Sequence, residues 1–187
     1  MQDLIRYINT YHRLGAEAIS ALERHFEKQV LPKSEYLLRE GSVCRHLYFL
    51  QQGVLRGYYV LNGKEITHWF AFENSFVTSF HSYITAQPAV ENIQLLEGCV
   101  LLAITKEKLE KLFNQFPEIE RAVRIAYEKY YIRLEERFVN AHFSSAAERY
   151  ETLLQQYPGI TNRVPLGHIA AYLGISQETL SRIRARL

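Results

Sequence analysis

The stretch Ile169-Ala170-Ala171-Tyr172-Leu173-Gly174-Ile175-Ser176-Gln177-Glu178-Thr179-Leu180-Ser181-Arg182-Ile183 decides how this chain is read. Pro165 opens a helix, since a proline in the first turn gives up no intrahelical bond. Ile169, Ala170 and Leu173 fall on one face of it. Gly174 suits the left-handed position that ends a helix, and Ile175 plugs the corner. Ser176 caps a second helix, with Glu178 at its positive end. Leu180 and Ile183 point back to the core, and Ala170 is small where the helices cross. The outward face of the second helix carries Gln177, Glu178, Ser181 and Arg182. Such groups hydrogen-bond base edges: Arg to guanine, Gln to adenine, Glu to cytosine N4. The second helix of a helix-turn-helix places its first turns in the major groove. The same pattern also describes a helical hairpin that meets no nucleic acid.

Charge gathers in this tail. From Arg163 to Leu187 there are four Arg and one Glu, +3 in a chain whose net charge is +2. That surface is modest, and it reads equally as a phosphate footprint or as a solvated basic face. Ser176 and Thr179 at the helix N-terminus, together with Arg184 and Arg186, are the candidate phosphate contacts. The two arginines read equally as solvated charges at a helix C-terminus.

Upstream, Ser145-Ala146-Ala147-Glu148 has the form of a capping box. It starts a helix with Tyr150, Leu153, Leu154 and Tyr157 as its apolar set, stopped by Pro158-Gly159. Before it, Ile119, Val123, Ala126, Tyr130, Leu134, Phe138 and Ala141 recur at steps of three and four. This stripe predicts a helix over Pro117–His142, about 25 residues and about 37 Å long. One small domain does not need such a length for itself. The stripe therefore predicts a dimer seam through Ile119, Val123, Ala126, Tyr130, Leu134 and Phe138, against the plainer reading of a helix packed on its own domain.

Between Val30 and about Thr105 the character is strand-like. Tyr, Phe, Val, Leu and Ile are cut at short intervals by Pro32, Gly41, Gly53, Gly57, Asn62-Gly63 and Gly98, the rhythm of an antiparallel sandwich or barrel. Asn62-Gly63 between two apolar runs signals a type I′ hairpin. Residues 73–91 read as a loop carrying a short helix. Residues 4–26 read as two short helices separated at Leu14-Gly15, and a further helix begins at Lys106.

Composition excludes several functions. The only Asp is Asp3 against nineteen Glu, so most Asp-based triads and metal sites are missing. Cys44 and Cys99 read as buried free thiols, too few for a cluster or an all-cysteine zinc site. The seven His are scattered, and no metal site is predicted. A cupin-like metalloenzyme, which needs clustered His and Glu, is a poor fit, and a non-enzyme is expected. No stretch approaches the ~20 apolar residues of a membrane span, and the N-terminus lacks the layout of a secretory signal. A cytoplasmic protein without a membrane partner is expected.

Ser176-Gln177-Glu178-Thr179-Leu180-Ser181-Arg182-Ile183 closely resembles the recognition helix of the Crp/Fnr family of bacterial regulators, and Ile169 to Gly174 resembles that family's first helix and turn. Tyr36-Leu37-Leu38-Arg39-Glu40-Gly41 and Leu47-Tyr48-Phe49-Leu50-Gln51-Gln52-Gly53 resemble the first strands of its cyclic-nucleotide-binding fold. The resemblance implies an α+β chain in three parts: an antiparallel, jelly-roll-like β-roll sensor over 1–116, a dimerisation helix over 117–142 and a helix-turn-helix domain over 143–187. It implies a homodimeric transcription regulator on a near-palindromic operator in duplex DNA, with RNA polymerase as a further partner.

Two departures stand out. Cyclic-nucleotide binders of the family carry Gly-Glu followed by Arg and Ser/Thr, whereas the stretch from Glu73 to Asn92 holds no Arg and no Gly. Cyclic AMP and cyclic GMP are therefore not expected, and no cofactor is predicted. Tyr48, Trp69, Phe72 and Phe80 are the candidate lining of a pocket for another small-molecule effector, or simply core. The sequence also stops at Leu187, directly after the second helix, without the family's two-stranded wing. The rival reading is a ligand-binding β-roll whose helical tail contacts protein, not DNA.

Overall fold

The computed structural model describes residues 1–186; Leu187, the last residue of the expected reader domain, lies outside the described residues. Two short helices, α1 (Gln2–Asn9) and α2 (Ala16–His25), lead into eight strands. These are β1 (Glu27–Leu31), β2 (Tyr36–Leu38), β3 (His46–Gln52), β4 (Leu55–Leu61), β5 (Lys64–Ala71), β6 (Ser75–Val77), β7 (Asn92–Leu95) and β8 (Cys99–Thr105), with α3 (Phe80–Thr85) between β6 and β7. They form two four-stranded antiparallel sheets, ordered β1-β8-β3-β6 and β2-β7-β4-β5. The mixed class, antiparallel roll followed by helices, is the expected one.

The strands form where the sequence provides both turn chemistry and apolar faces. Asn62 and Gly63 both take positive φ, 52° and 75°, and join β4 to β5 in register Leu61 to Lys64. Strand β3 is buried on both faces, which makes Leu47-Tyr48-Phe49-Leu50 a continuous apolar run. On one side, α1 lays Tyr7 against Phe49 and Phe76. Strand β4 has a bulge at Gly57, where the indole of Trp69 lies so close that an added Cβ would fall 2.1 Å from it.

Helix α4 (Lys106–Gln115) begins at Thr105, whose hydroxyl accepts from the Lys108 amide. Pro117 then opens α5 (Pro117–Phe143), a 27-residue spine. Ser145 and Glu148 form the expected reciprocal cap of α6 (Ala146–Gln156). The chain continues through the short α7 (Ile160–Arg163), which the sequence pattern did not signal, to α8 (Leu166–Leu173) and α9 (Gln177–Arg184). The large core joins the roll to α1, α2, α4 and the first two turns of α5. A second core binds α6 to α9 around Leu153, Ile160, Ile169, Leu173 and Leu180, and includes Val54, Phe70 and Leu96 of the roll. The C-terminal helices are thus packed on the second sheet.

Candidate nucleic-acid interface

Gly174 ends α8 at φ 67°, ψ 31°, with the Ile175 amide bonded to the Ala170 carbonyl at 3.1 Å. Arg149 on α6 donates to the Leu173 carbonyl at 2.9 Å, satisfying the free end of α8. Ser176 caps α9 by accepting from the Thr179 amide at 3.2 Å. Leu180 is fully buried against Ile169 and Leu173, and this fixes the rotation of α9 about its axis.

The opposite face of α9 stands in solvent. Gln177, Glu178, Ser181 and Arg182 are all exposed, about 140° of arc at 100° per residue. Arg182 and Arg184 enter no ion pair among the described residues. Arg186 is exposed just beyond the helix. The Ser176 and Thr179 hydroxyls lie 3.2 Å apart. The Glu178 carboxyl is held below its usual range, first by the Ser176 hydroxyl and then by its own backbone amide. It is therefore an anion at the tip of α9 and an acceptor for an exocyclic amine.

Arg163 does not belong to this surface. Its guanidinium is clasped by two carboxylates of the roll: Nη1 and Nη2 reach Glu73 at 2.9 and 2.7 Å, and Nε and Nη2 reach Glu97 at 3.0 and 2.7 Å. Glu73 also accepts from the Gly53 amide at 2.9 Å. One of the four positive charges in the tail is therefore spent inside the molecule. A second link is Arg56, buried in β4, which donates to Gln94, pairs with Glu65 at 2.6 Å and lies 2.8 Å from Nδ1 of His168 on α8. Burial, and then the Arg56 charge, hold the His168 imidazole below its ordinary pKa. Phe70 on Tyr172 and Phe72 stacked on Tyr157 complete the contact.

Only the first half of the spine stripe turns inward. Ile119 and Val123 are buried in the chain's own core and Ala126 is half-buried. Tyr130 stacks on Phe80 at 4.4 Å, while Leu134 and Phe138 border the cleft under β5. As packed, Ile119 and Val123 are already covered within the chain's own core, where α1 and α4 meet α5, and offer nothing to a second copy. Beyond Val123 the spine exposes apolar residues on both sides: Leu134 and Phe138 beside the cleft, 44% and 63% exposed, and Tyr131, Ile132, Val139 and Phe143 on the rest of its surface, 66%, 52%, 45% and 83% exposed. Half-buried Ile125 precedes Ile132 by seven residues.

The four candidate pocket residues do not form one pocket. Trp69 and Phe80 line a cavity against the spine, whereas Tyr48 fills the roll core and Phe72 packs on Tyr157 after α6. Within the expected ligand stretch the structure places a buried anion, Glu91. It accepts from Trp69 Nε1 at 3.1 Å and lies 2.7 Å from His68 Nε2. Burial opposes its ionisation, but hydrogen bonds from His68, Ser79 and Trp69 outweigh this and hold its carboxyl below the usual range. Cys44 and Cys99 are buried free thiols, and burial pushes Cys99 up to about 11. No helix among the described residues is long and apolar enough to cross a membrane.

Residues 28–116 match the family model of the cyclic nucleotide-binding domain. Among curated proteins, the anaerobic regulatory protein of Bacillus subtilis is 27% identical over 99 residues, which are 52% of this chain and 42% of that protein, less than half its length. Among solved structures, FixK2 from Bradyrhizobium japonicum superposes with a TM-score of 0.73 at 18% identity, over 87% of this chain and 84% of that one. The c-di-GMP-responsive global regulator CLP of Xanthomonas campestris superposes with 0.72 at 18% identity, over 92% and 91%. The chain is thus similar to regulators over both roll and helical tail, and shares their fold.

Proposed function

We propose that this chain is a Crp/Fnr-type transcription regulator that reads duplex DNA with α9. The observation that carries this is the free face of α9. Gln177, Glu178, Ser181 and Arg182 stand in solvent on a helix whose opposite side is locked by Leu180. Base-reading side chains on a rigid, protruding helix are what major-groove recognition requires. Likeness in fold to regulators supports the reading.

Arg182→Ala should weaken binding to the preferred operator by about 1–3 kcal/mol and relax choice at one base position. The preferred operator comes from selecting bound duplexes out of a random pool. An enriched two-fold motif with half-sites about one helical turn apart is the expected result. A pool with no enriched motif, or an Arg182→Ala variant with unchanged operator affinity, contradicts the reading.

The operator symmetry rests on a dimer, and the spine's outward face is the seam that fits one. Ile125, Ile132 and Val139 recur every seven residues, with Phe143 four further on, the spacing of paired helices. Ile132→Glu together with Val139→Glu should turn a dimer into a monomer in sedimentation without loss of helical signal. A dimer that survives both changes places the seam elsewhere.

A cyclic nucleotide does not fit the roll's ligand stretch. Its phosphate would need a cation, and residues 73–92 hold no Lys or Arg. Calorimetric titration with cyclic AMP should show no binding; saturable binding would overturn this assignment.

A further inference from the structure

A cleft of about 560 Å³ opens between β5, the spine and the reader helices α6 and α8. That size falls within the range of small-molecule sites. A second cavity of about 100 Å³, against Trp69, Phe80 and Tyr130, has Leu134, Arg137 and Tyr172 as common walls with the first. Neither cavity has an Asp or Glu among its lining residues, yet Arg133, Arg137 and Arg149 face them. Arg149 is satisfied by the Ser144 and Leu173 carbonyls. Arg133 and Arg137, one turn apart on the spine, have no carboxylate at ion-pair distance among the described residues.

The second observation is independent. Thr67, 2% exposed on β5, lines the same cleft, and its hydroxyl is the one buried side-chain polar atom among the described residues without a partner. A buried hydroxyl left unpaired costs about 1–3 kcal/mol, so such groups normally have a partner. Around these donors the walls are apolar and aromatic, with Leu134, Phe138, Trp69 and Tyr172.

We propose that this cleft binds an organic carboxylate with an aromatic or acyl body. Arg137 and Arg133 hold the carboxylate, the Thr67 hydroxyl donates to the ligand, and Phe138, Tyr172 and Trp69 face its body. Guanidinium on carboxylate is a strong, charge-assisted match. The walls belong to the roll, the spine and the reader at once, so the ligand bridges all three. That it acts as an effector rests on the DNA-reading proposal; that it binds does not.

Trp69 is the only tryptophan, so its emission reports on the site without DNA. The full chain is titrated with 4-phenylbutanoate and, separately, with its neutral amide. A saturable change at one equivalent per chain is expected for the carboxylate, with binding at least tenfold weaker for the amide. Arg137→Gln should weaken the carboxylate at least tenfold and leave the amide unaffected, Arg137→Lys should retain part of the affinity, and Thr67→Val should weaken both ligands severalfold. Equal binding of acid and amide, undiminished binding by Arg137→Gln, or no saturable signal would overturn the proposal. Melting curves of each variant, unchanged from the parent, show that the fold is intact.

Discussion

Gly53→Ala should destabilise the protein by about 3 kcal/mol, a fall in melting temperature of about 6–12 °C for a chain of this length. Gly53 joins β3 to β4 at φ +108°, a conformation that L side chains rarely adopt. A Cβ there would lie 2.5 Å from the Cys99 sulfur and 2.9 Å from the Gly98 carbonyl oxygen. The first neighbour is a buried side chain on β8 and the second is backbone, so neither yields without shifting a strand. Backbone strain of about 1–3 kcal/mol and overpacking of about 1–3 kcal/mol both apply. The Gly53 amide also bonds to Glu73, so the damage reaches the clasp on Arg163. Urea denaturation followed by circular dichroism measures the loss. An unchanged midpoint would mean that the turn relaxes freely.

The second large effect is expected at the clasp itself. Arg163→Ala removes four charge-assisted hydrogen bonds and leaves Glu73 and Glu97 facing one another without their cation. A fully buried pair broken in this way costs about 3–5 kcal/mol. These groups are about one-third exposed, which lowers the expectation to about 2–3 kcal/mol. The pH dependence follows the same contact. The Arg163 guanidinium, against the opposing effect of burial and with help from backbone amides, holds Glu73 at about 2, below its ordinary 4.5. A carboxylate depressed in the folded state contributes stability that is present above its unfolded pKa. That contribution is lost as the pH falls through the folded value. Stability should therefore drop between about pH 4.5 and pH 2, and Arg163→Ala should flatten this part of the profile. A variant with the parent's acid profile would show that the clasp contributes nothing.

The parts of this molecule legible in the sequence are those specified by near neighbours. Gly174 ends α8, Ser176 caps α9, Ser145 and Glu148 box α6, and Asn62-Gly63 turns the hairpin, because each acts within four residues along the chain. The candidate base-reading residues follow from the same local logic, since Leu180 and Ile183 fix which face of α9 looks outward. What was not legible depends on distant partners. Arg163 reads as one more positive charge of a basic tail until Glu73 and Glu97, 90 and 66 residues earlier, are placed beside it. The spine carries apolar residues on two sides, and periodicity alone does not say which side the roll covers. Ile125, Ile132 and Val139 form a second apolar row beside the stripe of Ile119, Val123 and Leu134, and only the placement of the roll separates the two. Tyr48, whose ring suits a pocket wall or a core alike, is core because its strand is covered on both faces.

Links between roll and reader give the proposed regulation a physical route. Phe72 on Tyr157, Arg163 on Glu73 and Glu97, and Arg56 beside His168 fix the end of α6, α7 and α8 in turn against the roll, and α8 packs on α9.

Whether α9 reads duplex DNA is tested by equilibrium binding of a labelled operator duplex across 50 to 200 mM salt. Log K should fall linearly with log salt, by about 10³ or more over that range if about six phosphates are contacted, with Arg182→Ala shifting the line down for the preferred sequence far more than for a scrambled one. Affinity that does not change with salt, or no duplex binding at 50 mM, would contradict DNA reading by α9.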